Sequence, residues 1–447
     1  MLTIDDLPAE LLDYIFKLAG KSSIATLWVS KYWNYVFKTF RQTKNDKIVK
    51  INLTSFVRWA KIPFIEWIHQ QECPFNKFTF HVAIIHDRLD VLKRFMRPTI
   101  GTDSIRNVCI DDINYCRAAA GTGNIKILKW LRDPETGGGV YQWDSKVCGA
   151  TAQKIQLKSL KWIRKDTEVD INTIKEIQLE TLKWLRNPDT GGGVCPWNRL
   201  TYYDAAKYDY IEILKYFRET YADTDKLTRY DRNIGKYAAV GGNLEILKWC
   251  VTQGISLNEK TCEGAAAGGR IDILEWLRDP DTGYGICPWN ERSCKYAAFN
   301  NNLKSLEWLR NPDTGGGICP WDENTCAYAA TAGRFKPYTN NSIKTLEWLR
   351  DPDTGGGVCP WDALAVFKAT IYRNIETLEW LRDPSTGGGV CPWDTINYQV
   401  VQHDNNLPTI KWLRNPDTGG GVCPWDRQDL LRYAKPKIKA WLETQAD

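Results

Sequence analysis

The stretch TCEGAAAGGRIDILEWLRDP, Thr261 to Pro280, decides the fold. Its first part is short and rich in small residues, Gly264, Ala265, Ala266 and Ala267, which suits a helix whose neighbours must approach closely. Gly268 and Gly269 break that helix. Apolar residues then recur at Ile271, Ile273, Leu274, Trp276 and Leu277, with a narrow polar edge at Asp272, Glu275 and Asp279, so the second helix is expected to be mostly buried. Asp279-Pro280 stops it, because proline cannot continue a helix and disfavours helix in the residue before it. One unit therefore reads helix, tight turn, helix, long loop. A pair this short cannot bury its apolar face alone, so neighbours must stack into a common core.

Working outward, the pattern WLR-[DN]-P-x-T-G recurs at Trp130, Trp184, Trp276, Trp308, Trp348, Trp380 and Trp412. Three of the intervals are 32 residues, and the one from Trp308 to Trp348 is 40, with the extra residues around Gly333 to Asn341. Weaker copies without the glycine loop stand at IEWIHQQECPFN, LDVLKRF, LKSLKWI, IEILKYF and LEILKWC. Counting both kinds gives about twelve units over residues 54–426, followed by a C-terminal helical cap at 427–447. The period, and the order Thr-Cys-x-x-Ala-Ala-x-x-Gly followed by LEILKWL-like helices, resemble the ankyrin repeat. Cysteine stands where ankyrins usually place proline, and Tyr296 or Tyr328 where they usually place histidine. The array is similar to the divergent ankyrin arrays of large DNA viruses and some protists. The expected fold is all-α, an ankyrin-like solenoid of helical pairs.

Composition bounds the function. The chain has 447 residues, 43% of them hydrophobic and 25% charged, and no apolar run long enough to cross a bilayer. The start MLTIDDLPAELL lacks the features of a secretory signal, so a cytoplasmic or nuclear protein is expected, in a host cell if viral, with its 14 cysteines reduced. Net charge is +5 from 59 basic and 54 acidic residues, without a basic block, which argues against a nucleic-acid partner.

The loop Asp351 to Asp362 invites a metal. Asp351, Asp353, Gly356 and Asp362 match positions 1, 3, 6 and 12 of a calcium-loop count. However, Gly355 occupies a ligand position, Asp362 is too short to be the bidentate glutamate, and sister loops substitute Asn187, Asn311, Asn415 and Ser385. A turn is the better reading, glycine supplying positive φ. The glycines follow a helix end, where the dipole repels phosphate. Cys287, Cys319, Cys359, Cys391 and Cys423 occupy equivalent places in separate units, and layers about 8–10 Å apart hold them too far from one another for a disulfide or a shared zinc. No cofactor is implied. The helical tryptophans read as core, and Trp197, Trp289, Trp321, Trp361, Trp393 and Trp425 are expected to fold back on their hairpins. Four scattered histidines and the absence of a nucleophile motif argue against an enzyme.

A motif copied almost unchanged cannot by itself select one partner, so specificity is expected in the segments that vary. Those after Trp-Asp are ENTCAY, ALAVFK, TINYQV and RQDLLR, joined by the insertion near Gly333. Glu323, Asn324, Arg334, Phe335, Tyr338, Asn397, Tyr398 and Arg427 are the candidate contacts for a target protein.

The N-terminal DLPAELLDYIFKLA is an amphipathic helix with proline in its first turn, followed by Leu27 and then WVSKYWNYVF. In order and spacing, residues 1–40 resemble the F-box, with 41–53 as a linker or connecting helix. The resemblance implies docking on the Skp-type adaptor of a cullin–RING ubiquitin ligase through Leu7, Pro8, Leu11, Ile15, Val29 and Trp33. Two readings stand at this point: a substrate receptor that recruits a ligase to a target, and a scaffold whose N-terminal helices only cap the array.

Overall fold

The computed structural model describes residues 54, 57–58, 60–70, 75–96, 113–133, 144–153, 170–189, 194–221, 225–282, 286–314, 317–331, 341–353, 357–385, 390–417 and 422–445. All regular elements among them are helices. The six positions expected to dock an adaptor, from Leu7 to Trp33, and Arg334, Phe335 and Tyr338 in the insertion, lie outside the described residues. The chain groups into two compact units, Met1–Thr151 with Ile155–Pro196, and Ala152–Lys154 with Trp197–Asp447.

The first unit contains α1 (Ile62–Gln70), α2 (Lys77–Ile85), α3 (Leu89–Met96), α4 (Ile113–Gly121), α5 (Ile125–Arg132), α6 (Ser145–Thr151) and α7 (Ile171–Arg186). Helix α2 packs on its partner α3 and on α4, and α4 packs on its partner α5 and on α6. Aromatic rings stand within the unit's largely aliphatic core: those of Phe80 and Tyr115, fully buried, lie 4.4 Å apart.

The second unit carries the regular stack. Its pairs are α8 (Arg199–Lys207) with α9 (Ile211–Tyr221), α10 (Asp225–Gly241) with α11 (Leu244–Thr252), and α12 (Glu259–Gly268) with α13 (Ile271–Arg278). They continue as α14 (Glu291–Phe299) with α15 (Leu303–Arg310), α16 (Glu323–Ala329) with α17 (Asn341–Arg350), and α18 (Ala363–Ile371) with α19 (Ile375–Arg382). Each first helix from α8 to α16 packs on the next first helix, and each from α8 to α18 packs on its own partner. Small side chains make that spacing possible. A Cβ added at Gly264 would sit 2.2 Å from the Lys236 carbonyl oxygen, and one at Gly268 would sit 2.5 Å from that of Val240, so α10 and α12 meet backbone to backbone.

The tight turns share one conformation. Asp87, Gly123, Asp209, Gly242, Gly269, Asn301 and Arg373 all have positive φ at the same register. The next amide then reaches back to an alanine carbonyl, as in Asn124 to Ala119 at 2.8 Å, Arg270 to Ala265 at 2.9 Å and Asn374 to Ala369 at 3.0 Å. This left-handed closure satisfies carbonyls that the helix end leaves open. Side chains add ties between pairs: the Asn302 amide donates to the Ala266 and Ala267 carbonyls at 3.1 and 2.8 Å. The Asn243 amide does the same to Ala206 and Lys207.

One pair departs from the expected pattern. Where a first helix should follow Asp394, the chain runs extended through Asn397 and then forms a 3-10 turn at Tyr398–Gln402, before α20 (Leu407–Arg414). The segment TINYQVVQHDNN has no alanine pair for close packing and is rich in β-branched residues, which resist helix. Its polar backbone is satisfied otherwise: the Ile396 amide donates to the Pro424 carbonyl at 2.9 Å, and the Asn406 side chain donates to Val400 O at 2.7 Å. Helices α21 (Arg427–Tyr433) and α22 (Pro436–Glu443) end the described chain, in the region expected to form the cap.

Candidate functional site

The repeated loop is built around an arginine. In the second unit, the arginine that ends each WLR helix donates through Nη1 to the carbonyl of the cysteine nine residues on: Arg278 to Cys287 at 2.7 Å, Arg310 to Cys319 at 2.6 Å, Arg350 to Cys359 at 2.6 Å, and Arg414 to Cys423 at 2.7 Å. Arg382 does the same to Cys391, and Arg186 in the first unit to Cys195. The guanidinium carbon also lies over the loop tryptophan, 3.8 Å from the Trp289 centroid, 3.7 Å from Trp321 and Trp393, and 4.0 Å from Trp361 and Trp425. Burial lowers the pKa of Arg278, Arg310, Arg382 and Arg414, although each stays a cation in this range. A planar cation stacked on indole and bonded to a carbonyl is a clasp that lysine could not imitate.

The other conspicuous residues are used locally. Each loop cysteine donates its amide to the leucine of the WLR helix, Cys287 to Leu277 and Cys391 to Leu381, both at 2.9 Å. Its thiol points to the residue that caps the first helix of its own pair: Cys287 Sγ is 3.4 Å from Asn258 O and Cys391 Sγ is 3.3 Å from Asp362 O. Burial pushes the Cys391 and Cys423 thiols up to about 12. The helix thiols of Cys262, Cys294 and Cys326 are raised well above the usual range, by their contacts with Cys287, Cys319 and Cys359 and then by burial. The contact with Cys262 instead lowers the Cys287 thiol, so the packed, protonated thiols are those of Cys262, Cys294, Cys326, Cys391 and Cys423.

The first loop acid makes an Asx turn: Asp351 Oδ1 accepts from the Asp353 amide at 2.9 Å, and Asn311 Oδ1 from Asp313 at 2.9 Å. Asn serves this role as well as Asp, which explains the substitutions that spoil a calcium count. The last acid caps a helix, with Asp362 Oδ1 accepting from the Leu364 amide at 3.0 Å. Among the described residues, no group of three or more His, Cys, Asp or Glu is arranged to hold a metal ion. No described helix is long and apolar enough to cross a membrane.

The tryptophans fold back as expected. Trp289 meets Trp308 edge-on at 6.1 Å, Trp321 meets Trp348 at 6.2 Å, and Trp361 meets Trp380 at 6.1 Å. Trp130, Trp380 and Trp412 are buried, while Trp276, Trp308 and Trp348 keep part of their surface exposed.

The segments after Trp-Asp are mostly not loops. ENTCAY and ALAVFK are the opening turns of α16 and α18, RQDLLR begins α21, and TINYQV is the extended segment with the start of the 3-10 turn. Glu323 is exposed, and Asn324 is half-buried with its amide 2.8 Å from Asp322 Oδ2. Asn397 caps the 3-10 turn, accepting from the Gln399 amide at 2.9 Å. Tyr398 lies 5.1 Å from the Tyr433 ring, and Arg427 donates to the Leu442 carbonyl at 2.8 Å. Next to the extended segment, Leu364, Phe367, Thr370, Ile396 and Val400 line a cleft of about 430 Å³.

The feature that sequence reasoning missed is one face of the first helices, partly exposed at its lysines, tyrosines and Phe367 and buried at Glu263, Gly264 and Ala327. Its equivalent positions differ from pair to pair, Lys236, Glu263, Lys295, Ala327 and Phe367 in one column, and Tyr237, Gly264, Tyr296, Tyr328 and Lys368 in the next. Stacking those helices side by side turns the columns into one surface. The alanine pairs that follow each column would have supplied the register.

No family model matches the chain, and no curated protein is found as a relative.

Proposed function

We propose that the protein is a non-enzymatic substrate receptor. The F-box-like segment would dock the Skp-type adaptor of a cullin–RING ubiquitin ligase, and the ankyrin-like pairs would hold a target protein. Its mechanism is proximity, two partners held on one chain at high effective concentration. The observation supporting the target-binding half is the division of labour in the second unit. Loop arginines, cysteines and tryptophans are engaged within the fold, whereas the first-helix face varies from pair to pair. The ligase half rests on the resemblance carried by Leu7, Pro8, Leu11, Ile15, Val29 and Trp33.

Co-purification with the Skp-type adaptor tests the ligase half, comparing the natural chain with a Leu11→Asp, Trp33→Ala variant. The adaptor is expected to be recovered with the natural chain and lost from the variant. Equal recovery would leave a scaffold.

A further inference from the structure

Cations and tyrosines alternate along the first-helix face of the second unit. Lys236 of α10 reaches past Gly264 of α12 and places Nζ 4.5 Å from the Tyr296 centroid in α14. Lys295 lies over the same ring at 5.2 Å and over Tyr328 of α16 at 4.9 Å. Lys368 of α18 approaches Tyr328 at 5.3 Å. The ribbon thus crosses five consecutive pairs, with each ring shared by two ammonium groups. Lys236 already has a counter-ion, Glu263 Oε2 at 3.3 Å. Among the described residues, Lys295 and Lys368 have no carboxylate within salt-bridge distance.

We propose that this ribbon docks an extended acidic segment of a partner protein, with carboxylates meeting Lys295 and Lys368 on either side of Tyr328. The inference rests on the first-helix face being the target surface and is independent of the adaptor. Charge complementarity carries it: two unmatched cations are held in place by aromatic faces, so binding costs little of their side-chain freedom. Spacing agrees, because ammonium groups that share a ring are no farther apart than their two centroid distances together. An extended chain covers that span in about three residues at ~3.3 Å each. A protein segment fits better than nucleic acid. Glu263 sits inside the ribbon, and Glu259, Glu291 and Glu323 lie in the first turns of the same helices. Those acids repel a backbone charged at every nucleotide, whereas a peptide can set neutral residues against them.

The test uses fluorescence anisotropy on the full chain with three labelled probes: a peptide with glutamate at every third position, its glutamine counterpart, and an oligothymidine of equal charge. The glutamate peptide is expected to bind best, more weakly as salt rises, and about tenfold more weakly to a Lys295→Gln, Lys368→Gln variant. Lys411→Gln, on the exposed side of α20, serves as the control and is expected to bind normally. Thermal unfolding of each variant separates lost binding from lost structure. Absent glutamate-peptide binding, equal binding of the glutamine peptide, or unchanged binding by the folded double variant would overturn the proposal. Tighter binding of the oligothymidine would assign the ribbon to nucleic acid instead. Loss of the adaptor interaction with peptide binding intact would remove the ligase and spare the ribbon, and the reverse result would do the opposite.

Discussion

Two junctions of the second unit solve one problem differently. Between α11 and α12, the Ile255 amide bonds the Cys250 carbonyl at 2.9 Å, closing a short turn through Gly254 at φ +72°. Between α13 and α14, the Cys287 amide bonds the Leu277 carbonyl at 2.9 Å, but with a loop of nine residues between them. Both chains then reach an Asn cap three residues later, Asn258 and Asn290. The glycine loop is therefore an insertion into a turn that closes without it. The positions that differ are those of the clasp: Val251 and Leu257 stand where the longer loop has Arg278 and Trp289. A short turn needs only apolar contact, and a long one needs its carbonyl and ring tied down.

The largest effect should come from removing the clasp. Arg310→Ala leaves the Cys319 carbonyl with only the Cys294 thiol at 3.9 Å and uncovers Trp321, at a cost of about 2–4 kcal/mol in urea unfolding. Arg310→Lys should recover less than half of it. A graft sharpens the comparison. Arg278→Val alone should cost about 2–3 kcal/mol, but far less when residues 279–289 are exchanged for the turn 252–257, which would bring Leu257 in place of Trp289. Equal losses in the two backgrounds would mean that arginine and loop are not coupled.

The tight turns offer a smaller contrast. Gly269→Ala, at φ +69°, should destabilise by about 1–2 kcal/mol, whereas Arg373→Gly, at φ +59°, should be neutral or stabilise by up to about 1 kcal/mol. Differential unfolding measurements on the two variants check the sign.

The smallest effect concerns pH. Cys391 and Cys423 titrate at about 12 in the folded chain against an ordinary thiol near 9, so the folded state holds protons that the unfolded state releases. Stability should fall as pH rises from about 9 to 12. The short junction has Ile255 in the equivalent place, but burial also pushes its Cys250 thiol up to about 12, so it adds to that loss. Below neutrality, His86 is held down to about 4 by burial and by Arg58, so its contribution is present above 6.5 and is lost as pH falls toward 4. Replacing Cys391 and Cys423 with valine should shrink the alkaline limb, to which Cys250 still contributes, and leave the acid limb unchanged.

Much of this was legible in the sequence. The alanine run, Gly268-Gly269 and Asp279-Pro280 place one pair almost to the residue, because helix ends are written in local chemistry. The loop could also be read as scaffold, since copies exchange Asp for Asn without loss of an Asx turn. Arg278 was not legible, because its partners lie 9 and 11 residues away and meet it only once the loop has closed. Its constancy in WLR, beside outward positions that alternate between Lys and Glu, was the available signal. The missing helix after Asp394 did have a local signal, the absent alanine pair and the β-branched residues of TINYQVV, which the regular spacing of the repeat outweighed. The lysine and tyrosine ribbon, by contrast, is spread over five pairs.

One detail of the clasp bears on how such a chain could arise. The thiol of each loop cysteine rests on the main-chain oxygen of the residue that caps its own pair, as Cys319 does on Asn290. Any amino acid can present that oxygen. The arginine, cysteine and tryptophan of a clasp meanwhile fall within twelve consecutive residues. A 32-residue segment copied in frame would thus arrive with its fastenings complete, whatever neighbour it landed beside. Gene duplication could lengthen the array without waiting for compensating changes, and the copies could then diverge on the face that the fastenings leave alone.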